Sequence, residues 1–250
     1  MMNTALLLSG GTGSRIQTDI PKQYICVGGR MLITYALKTL SESPLIGEIE
    51  IVAEEVWREA ILEDAQKASI NVKKISGFAD PGQNRQSSIM NGLKNILWQR
   101  NGSMDITKPC DKDTVLIHDA ARPFLSQKLI QSCYEALGRH DGVMPALPMK
   151  DTVYLSRDGV RVEELLERSH LYAGQAPEVF LLKKYYMANM VLSQDKIMKI
   201  NGSTEPAILA GMDIVMIPGD ESNYKITTKT DLDRFQECIQ SESKKCFERR

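Results

Sequence analysis

Over the first ~145 residues, short apolar runs alternate with longer amphipathic stretches, and a mostly parallel sheet with helices on both faces accommodates that alternation. Ala5–Leu8, Ile49–Ala53, Ile70–Ile75, Asp113–His118 and Val143–Leu147 read as strands. Met31–Leu40, Val56–Lys67, Ser87–Gln99 and Ser126–Leu137 read as helices, the last with Ser126 as its N-cap. From Met149 to Tyr172 the pattern changes. Thr152–Leu155 and Val160–Val162 flank Arg157-Asp158-Gly159, and Asp-Gly between such runs signals a hairpin. Helix, strand and helix resume at Phe180–Leu192, Asp213–Ile217 and Thr228–Ile239, so the hairpin is an arm on one α/β domain spanning 1–250. Thr228 with Asp231 three residues on resembles a capping box. Residues 241–250 are polar and read as a frayed tail.

Ligands of such sheets sit at the C-terminal ends of the strands, so the loops there matter most. The first loop holds Gly10, Gly11 and Gly13, then Arg15, then Pro21-Lys22. Glycines let the backbone approach a ligand, and exposed N–H groups followed by a helix start favour anions. No Gly-Lys-Ser/Thr closes the loop, and Ile16 stands where a dinucleotide fingerprint has its last glycine. The later loops add Gly82 to Ser88 with Arg85, then His118-Asp119-Ala120-Ala121-Arg122, then Asn223 to Thr227 with Lys225. Cations around one acid suit phosphoryl or nucleotidyl transfer, with Asp119 placed to hold Mg²⁺ beside substrate phosphates. His118, at the end of an apolar strand, reads as structural.

Composition closes other routes. A net charge of −1 argues against broad nucleic-acid binding. Five widely spaced cysteines without a CxxC suggest neither a disulfide framework nor a zinc site, and reduced thiols suit a cytoplasmic protein. The apolar run near the N-terminus is too short for a signal peptide or a membrane span.

LSGGTGSRIQTDIPKQY, GQNRQSSIMNGL, VLIHDAARPF, MKDTVYL, RSHLYAGQAPEVF and ESNYKITTKTDL follow one another across residues 7–232. In that order they resemble the alditol-phosphate cytidylyltransferases, which act on 2-C-methyl-D-erythritol 4-phosphate or ribitol 5-phosphate. The resemblance implies a Rossmann-like nucleotidyltransferase fold, a divalent cation, a homodimer, and transfer of CMP from CTP in isoprenoid precursor synthesis, or CDP-ribitol formation as the alternative. It implies that Gly10, Gly11, Thr12 and Gly13 wrap CTP, with Arg15 and Lys22 on its phosphates. Gly82, Arg85 and Ser88 would contact base and ribose, with Ala120 beside Asp119 at the metal. Lys225 would neutralise the α-phosphate. Arg122 would help form the acceptor site, and Thr152 and Arg168 would reach across the dimer to the acceptor phosphate.

The chain departs from the family in places. Ser9-Gly10-Gly11 stands where the erythritol enzymes have Ala-Ala-Gly, and Gly-Gly-Thr-Gly is closer to the ribitol branch, whereas HDAARP is closer to the erythritol branch. Ala176-Pro177-Glu178 replaces Thr-Pro-Gln, and Asn201-Gly202-Ser203-Thr204-Glu205 replaces a Thr-Asp-Asp/Glu stretch. Two rivals follow. A dinucleotide-dependent oxidoreductase would use Glu54 or Glu55 on a ribose. A non-catalytic homologue would bind CTP without turnover.

Overall fold

The computed structural model describes residues 2–11, 20–102 and 111–247. In chain order it contains β1 (Asn3–Leu8), β2 (Cys26–Val27), β3 (Arg30–Met31), α1 (Leu32–Glu42), β4 (Glu48–Val52), α2 (Glu55–Lys67) and β5 (Ile75–Ala79). Then come α3 (Arg85–Asn101), β6 (Thr114–Asp119), α4 (Gln127–Leu137), β7 (Gly142–Pro148), β8 (Val153–Leu155), β9 (Glu164–Leu166), β10 (Tyr172–Gly174) and β11 (Glu178–Leu181). The chain continues with α5 (Leu182–Met190), α6 (Gln194–Lys199), α7 (Glu205–Leu209), β12 (Ile214–Pro218) and α8 (Lys229–Phe247).

β5, β4, β1 and β6 lie side by side and parallel. β11 then runs antiparallel to both β6 and β7. Ala146 of β7 pairs with Gly174 and with Pro218, so β10 and β12 flank β7 on opposite sides. The mostly parallel sheet read from the alternation is therefore present, with β10 and β11 reversed within it.

Alternation along each strand sends neighbours to opposite faces. Ala5, Leu7, Ile49, Ile51 and Leu116 pack with α1, α2 and α4, while Leu6, Val52, Val115 and Ile117 pack with α3 and α5. A third cluster, Val27, Leu32, Ile226, Leu232 and Phe235, docks α8 beside the start of α1. Two helix starts match their sequence signals. Leu129 N donates to Ser126 Oγ at 3.2 Å, and Asp231 N donates to Thr228 Oγ1 at 3.2 Å while Thr228 N donates back to Asp231 Oδ2 at 2.8 Å.

Most boundaries shift by one or two residues, and four differences have a local cause or a larger extent. The strand placed at Ile70–Ile75 begins at Ile75, because residues 72–74 form a tight turn whose Lys73 N donates to Asn71 Oδ1 at 3.2 Å. Phe180 and Leu181, read as helix, end β11. The arm's second strand is Glu164–Leu166 rather than Val160–Val162, since Asp158 Oδ1 accepts from both Val160 N and Arg161 N at 2.8 Å and keeps them in the turn. The last helix continues through Phe247, into the segment read as a frayed tail. Among the described residues no helix is long and apolar enough to cross a membrane.

One core acid is exceptional. Glu50 of β4 has no solvent exposure, and its Oε1 accepts from Asn95 Nδ2 at 2.6 Å and its Oε2 from Gln99 Nε2 at 3.3 Å. Burial pushes its carboxyl from 4.5 up to about 7. The folded protein thus keeps a proton that the unfolded chain has already lost, so Glu50's contribution is full below pH ~4.5 and fades as pH rises through ~7. Glu50→Gln is therefore expected to gain stability over the wild type as pH rises from 4 to 8, by up to about 3 kcal/mol. Urea unfolding at several pH values checks this; a difference that does not change with pH contradicts it.

Candidate active site

A cavity of about 400 Å³ opens at the C-terminal ends of β1 and β6, within the size range of small-molecule sites. Its wall includes Gly10, Gly11, Lys22, Arg85, Asp119 and Lys225. These residues are far apart in the chain, and the parallel strands bring them together. A larger hollow, about 1010 Å³, lies at the opposite strand ends near Asn3 and Thr114, where parallel sheets do not ordinarily bind ligands.

Two glycines are required by close approach. A Cβ on Gly10 would stand 2.5 Å from Pro81 Cβ, so the first loop and the 80s loop touch only because that position is bare. A Cβ on Gly82 would meet Ser87 Cβ at 2.3 Å and Ser88 N at 2.8 Å. Gly82 N donates to Ser88 Oγ at 2.9 Å, and Ser88 Oγ donates to Asn84 O at 2.9 Å. Ser88 therefore shapes the turn as well as lining the cavity. Asn84 caps α3, its Oδ1 accepting from Ser87 N at 2.7 Å.

Asp119 ends β6 and is 7% exposed, so its charge needs partners. Its Oδ1 accepts from Arg85 Nη2 at 3.0 Å and Nε at 3.2 Å, and its Oδ2 accepts from Lys225 Nζ at 2.9 Å. Arg122 Nε lies 3.8 Å from Oδ2. Burial alone would push the Asp119 carboxyl up, but the Arg85 and Lys225 charges outweigh it and hold the group well below the usual carboxylate range. Lys22 Nζ donates to Ile226 O at 2.7 Å, which ties the PKQY turn to the Lys225 loop.

The sequence-derived site residues separate into groups. Lys22, Lys225, Asp119, Gly10, Gly11, Gly82, Arg85 and Ser88 line the cavity. The Arg85 guanidinium, expected near a base, is turned to Asp119 instead. Ala120 is not in the wall; it is fully buried with its N–H on Leu8 O at 2.9 Å, and the wall there is Asp119 and Ala121. The alternation along β6 explains this, since Ala120 prolongs its pairing with β1. Arg122 sits behind the wall, with Nη1 donating to Asn223 O at 2.7 Å. Thr152 and Arg168 are exposed next to the arm, outside the cavity, and Arg168 Nη1 donates to Lys150 O at 2.7 Å. Thr12, Gly13 and Arg15 lie outside the described residues.

His118 is structural, as read. It is fully buried, with Nε2 3.0 Å from Arg122 O, and burial pushes its pKa down to about 4. A carbonyl only accepts, so Nε2 carries the proton of a neutral ring. Glu54 and Glu55 are exposed and not part of the wall, which removes the ribose-reading acid that the oxidoreductase alternative needs.

Sequence reasoning missed Gln23, whose Nε2 donates to Ser9 O and, at 2.7 Å, to Gly11 O, bracing the glycine loop. The PKQY motif contained it, but only its lysine attracted notice. Glu178 was noted as a departure and not as a neighbour of the site. It is buried, and its Oε2 lies 3.9 Å from Arg85 Nη2.

Comparison with known proteins identifies the family. The family model described as IspD, 2-C-methyl-D-erythritol 4-phosphate cytidylyltransferase, matches residues 4–241. The chain is 33% identical over 235 residues to the enzyme of that name from Thermotoga neapolitana, covering 93% of this chain and 94% of the relative. It is 29% identical to the one from Clostridium acetobutylicum, covering 92% of this chain and 94% of the relative. The solved structure of 4-diphosphocytidyl-2C-methyl-D-erythritol synthase from Anaerococcus prevotii superposes with a TM-score of 0.72 at 25% identity, covering 96% of each chain.

The charge arrangement carries a stability prediction. Asp119→Asn leaves Arg85, Lys225 and Arg122 facing one another without their shared counter-charge. Breaking a fully buried pair costs about 3–5 kcal/mol, and Lys225, about a third exposed, discounts that to roughly 2 kcal/mol. Urea unfolding should show this loss, and added pyrophosphate should stabilise the variant more than the wild type. An unchanged urea midpoint would count against the assigned role of Asp119.

Proposed function

The chain belongs to the 2-C-methyl-D-erythritol 4-phosphate cytidylyltransferase family, and from that premise we propose that it transfers CMP from CTP to the phosphate of 2-C-methyl-D-erythritol 4-phosphate. Pyrophosphate is the other product. The observation that carries the reading is the ionised Asp119 clasped by Arg85 and Lys225 in a glycine-rimmed cavity whose wall also holds Lys22. That arrangement suits a triphosphate, whose negative charge the cations meet and whose bulk the bare Gly10–Gly11 backbone admits.

In the proposed reaction an acceptor phosphate oxygen attacks the α-phosphorus of CTP, a new P–O bond forms, and the bond to the β-phosphate oxygen breaks. The nucleophile is already anionic, so no strong general base is needed. Catalysis is then positioning and charge neutralisation. Lys22 and Lys225 offer cations that meet charge developing on the α-phosphate and the leaving pyrophosphate. The neutral His118, sealed behind Asp119, keeps the 118–122 turn in shape and takes no part in proton transfer.

A divalent cation fits this donor set as a substrate-borne ion. Among the described residues no group of three or more His, Cys, Asp or Glu side chains could hold a metal, but a hard carboxylate supplementing phosphates and water is the ordinary Mg²⁺ arrangement. Asp119 is the residue that would hold it, and the ion would supply further charge neutralisation at the phosphates. A homodimer is the second part of the proposal. The arm carries Tyr154 (56% exposed), Val162 (67%) and Leu165 (61%), apolar side chains that a second copy would cover, bringing Thr152 and Arg168 toward a neighbouring acceptor site. A sedimentation mass of one chain contradicts that part.

Pyrophosphate release measured with CTP, Mg²⁺ and each acceptor tests the activity. Turnover is expected with 2-C-methyl-D-erythritol 4-phosphate; turnover with ribitol 5-phosphate alone would move the chain to that substrate, and CTP binding without turnover on either would make it a non-catalytic homologue. Lys22→Ala and Lys225→Ala should each lower kcat by on the order of 10²–10³. Full activity in either variant would sink the assignment of these cations.

A further inference from the structure

Two of the stretches in which this sequence departs from its family meet in space. Glu178 opens β11, and Thr204 Oγ1 donates to its Oε1 at 2.6 Å while Ser203 Oγ donates to its Oε2. Burial pushes the Glu178 carboxyl up, the Arg85 charge and the Thr204 hydroxyl oppose that, and a hydroxyl on each oxygen suits the carboxylate form. Its Oε2 also faces Arg85 Nη2 at 3.9 Å. Arg85 therefore stands between two acids: Asp119 on the cavity side and Glu178 behind the wall.

The residues on either side of Arg85 are tied to the same region. Asn84 Nδ2 donates to Ile197 O at 2.7 Å, next to the end of α6. Gln86 Nε2 donates to Asn189 Oδ1 of α5. Tyr185 OH, 3.4 Å from Gln86 Nε2, donates to Ser203 O at 2.6 Å. The residues on either side of Arg85 are thus braced by α6 and α5, while Arg85 itself faces Glu178 of β11, and Ser203 is bonded on both routes, to Glu178 and to Tyr185. An anion entering the cavity competes with Asp119 for Arg85. Glu178 does not line the cavity, so it is the partner that the ligand leaves in place.

We propose that Glu178, oriented by Ser203 and Thr204, is a positioning residue that fixes the Arg85 guanidinium at the cavity wall to receive the nucleotide. The inference rests on the CTP-binding reading above and adds a residue to it. A neutral amide at 178 keeps the shape but removes the second anion, so Arg85 is left to be held by Asp119 alone and resists the exchange toward a ligand.

The test is a double-mutant cycle with CTP as the probe. Glu178→Gln is expected to raise KM for CTP, and Kd by calorimetry, about tenfold with kcat within about threefold. In an Arg85→Ala background the same substitution should change either constant less than about twofold, because the residue it acts through is gone. Circular dichroism and the unfolding midpoint establish that each variant is folded. Should Glu178→Gln fail to fold, Ser203→Ala combined with Thr204→Val carries the same test, with a smaller rise in KM that again disappears in the Arg85→Ala background. A folded variant with wild-type KM, or an equal penalty in both backgrounds, overturns the inference alone. A wild-type protein that does not bind CTP overturns the functional reading with it.

Discussion

The site depends on one buried carboxylate. Asp119 is held at the end of a central strand, where its charge would be costly without partners. Arg85, at the start of α3, and Lys225, in the loop before α8, supply them from 34 and 106 residues away in the chain. The sheet order makes this economical: β6 lies beside β1, so Asp119 emerges next to the glycine loop, and β5 leads directly into the turn that starts α3. The cations satisfy the acid, and in the proposed reaction they would turn to the phosphates of CTP. A site made this way is positive toward a triphosphate while remaining compensated when empty of ligand.

The turns around Asp119 repeat the same economy. Gly10 can lie against Pro81 and Gly82 can fold onto Ser87 only because neither carries a Cβ. Gln23 then ties the glycine loop to the PKQY turn, and Lys22 ties that turn to the backbone beside Lys225. Each loop that reaches the cavity is therefore braced by another loop, which suits a reaction whose catalysis is positioning and charge rather than proton transfer.

Much of this was legible in the sequence. The β/α alternation yields the parallel core, and Lys22, Arg85, Asp119 and Lys225 could be proposed from strand-end position and charge alone. Ser126 and Thr228 were readable as caps because their partners lie three residues away. What escaped reading depended on long-range contacts or on local side-chain competition. Phe180 and Leu181 were taken for helix because β11 is largely buried and lacks a period that separates strand from helix. The arm's register was missed because Asp158 takes two backbone N–H groups that a tight hairpin would have left to the ladder. Ala120 was expected at the site only from the family resemblance, which does not say that the pairing of β6 with β1 runs on through its N–H. Glu178 with Ser203 and Thr204 shows the limit most clearly, since two departures in separate motifs make sense only when seen touching.

The central claim is that the Asp119 cluster is the triphosphate site. A crystal structure of the protein with CTP and Mg²⁺ tests it most directly. The triphosphate is expected between Gly10–Gly11 and Lys22 and Lys225, with an ion on Asp119 and Arg85 drawn from Asp119 toward the nucleotide. A nucleotide bound elsewhere, with the Arg85–Asp119 and Lys225–Asp119 pairs intact and the cavity holding no phosphate, would contradict it.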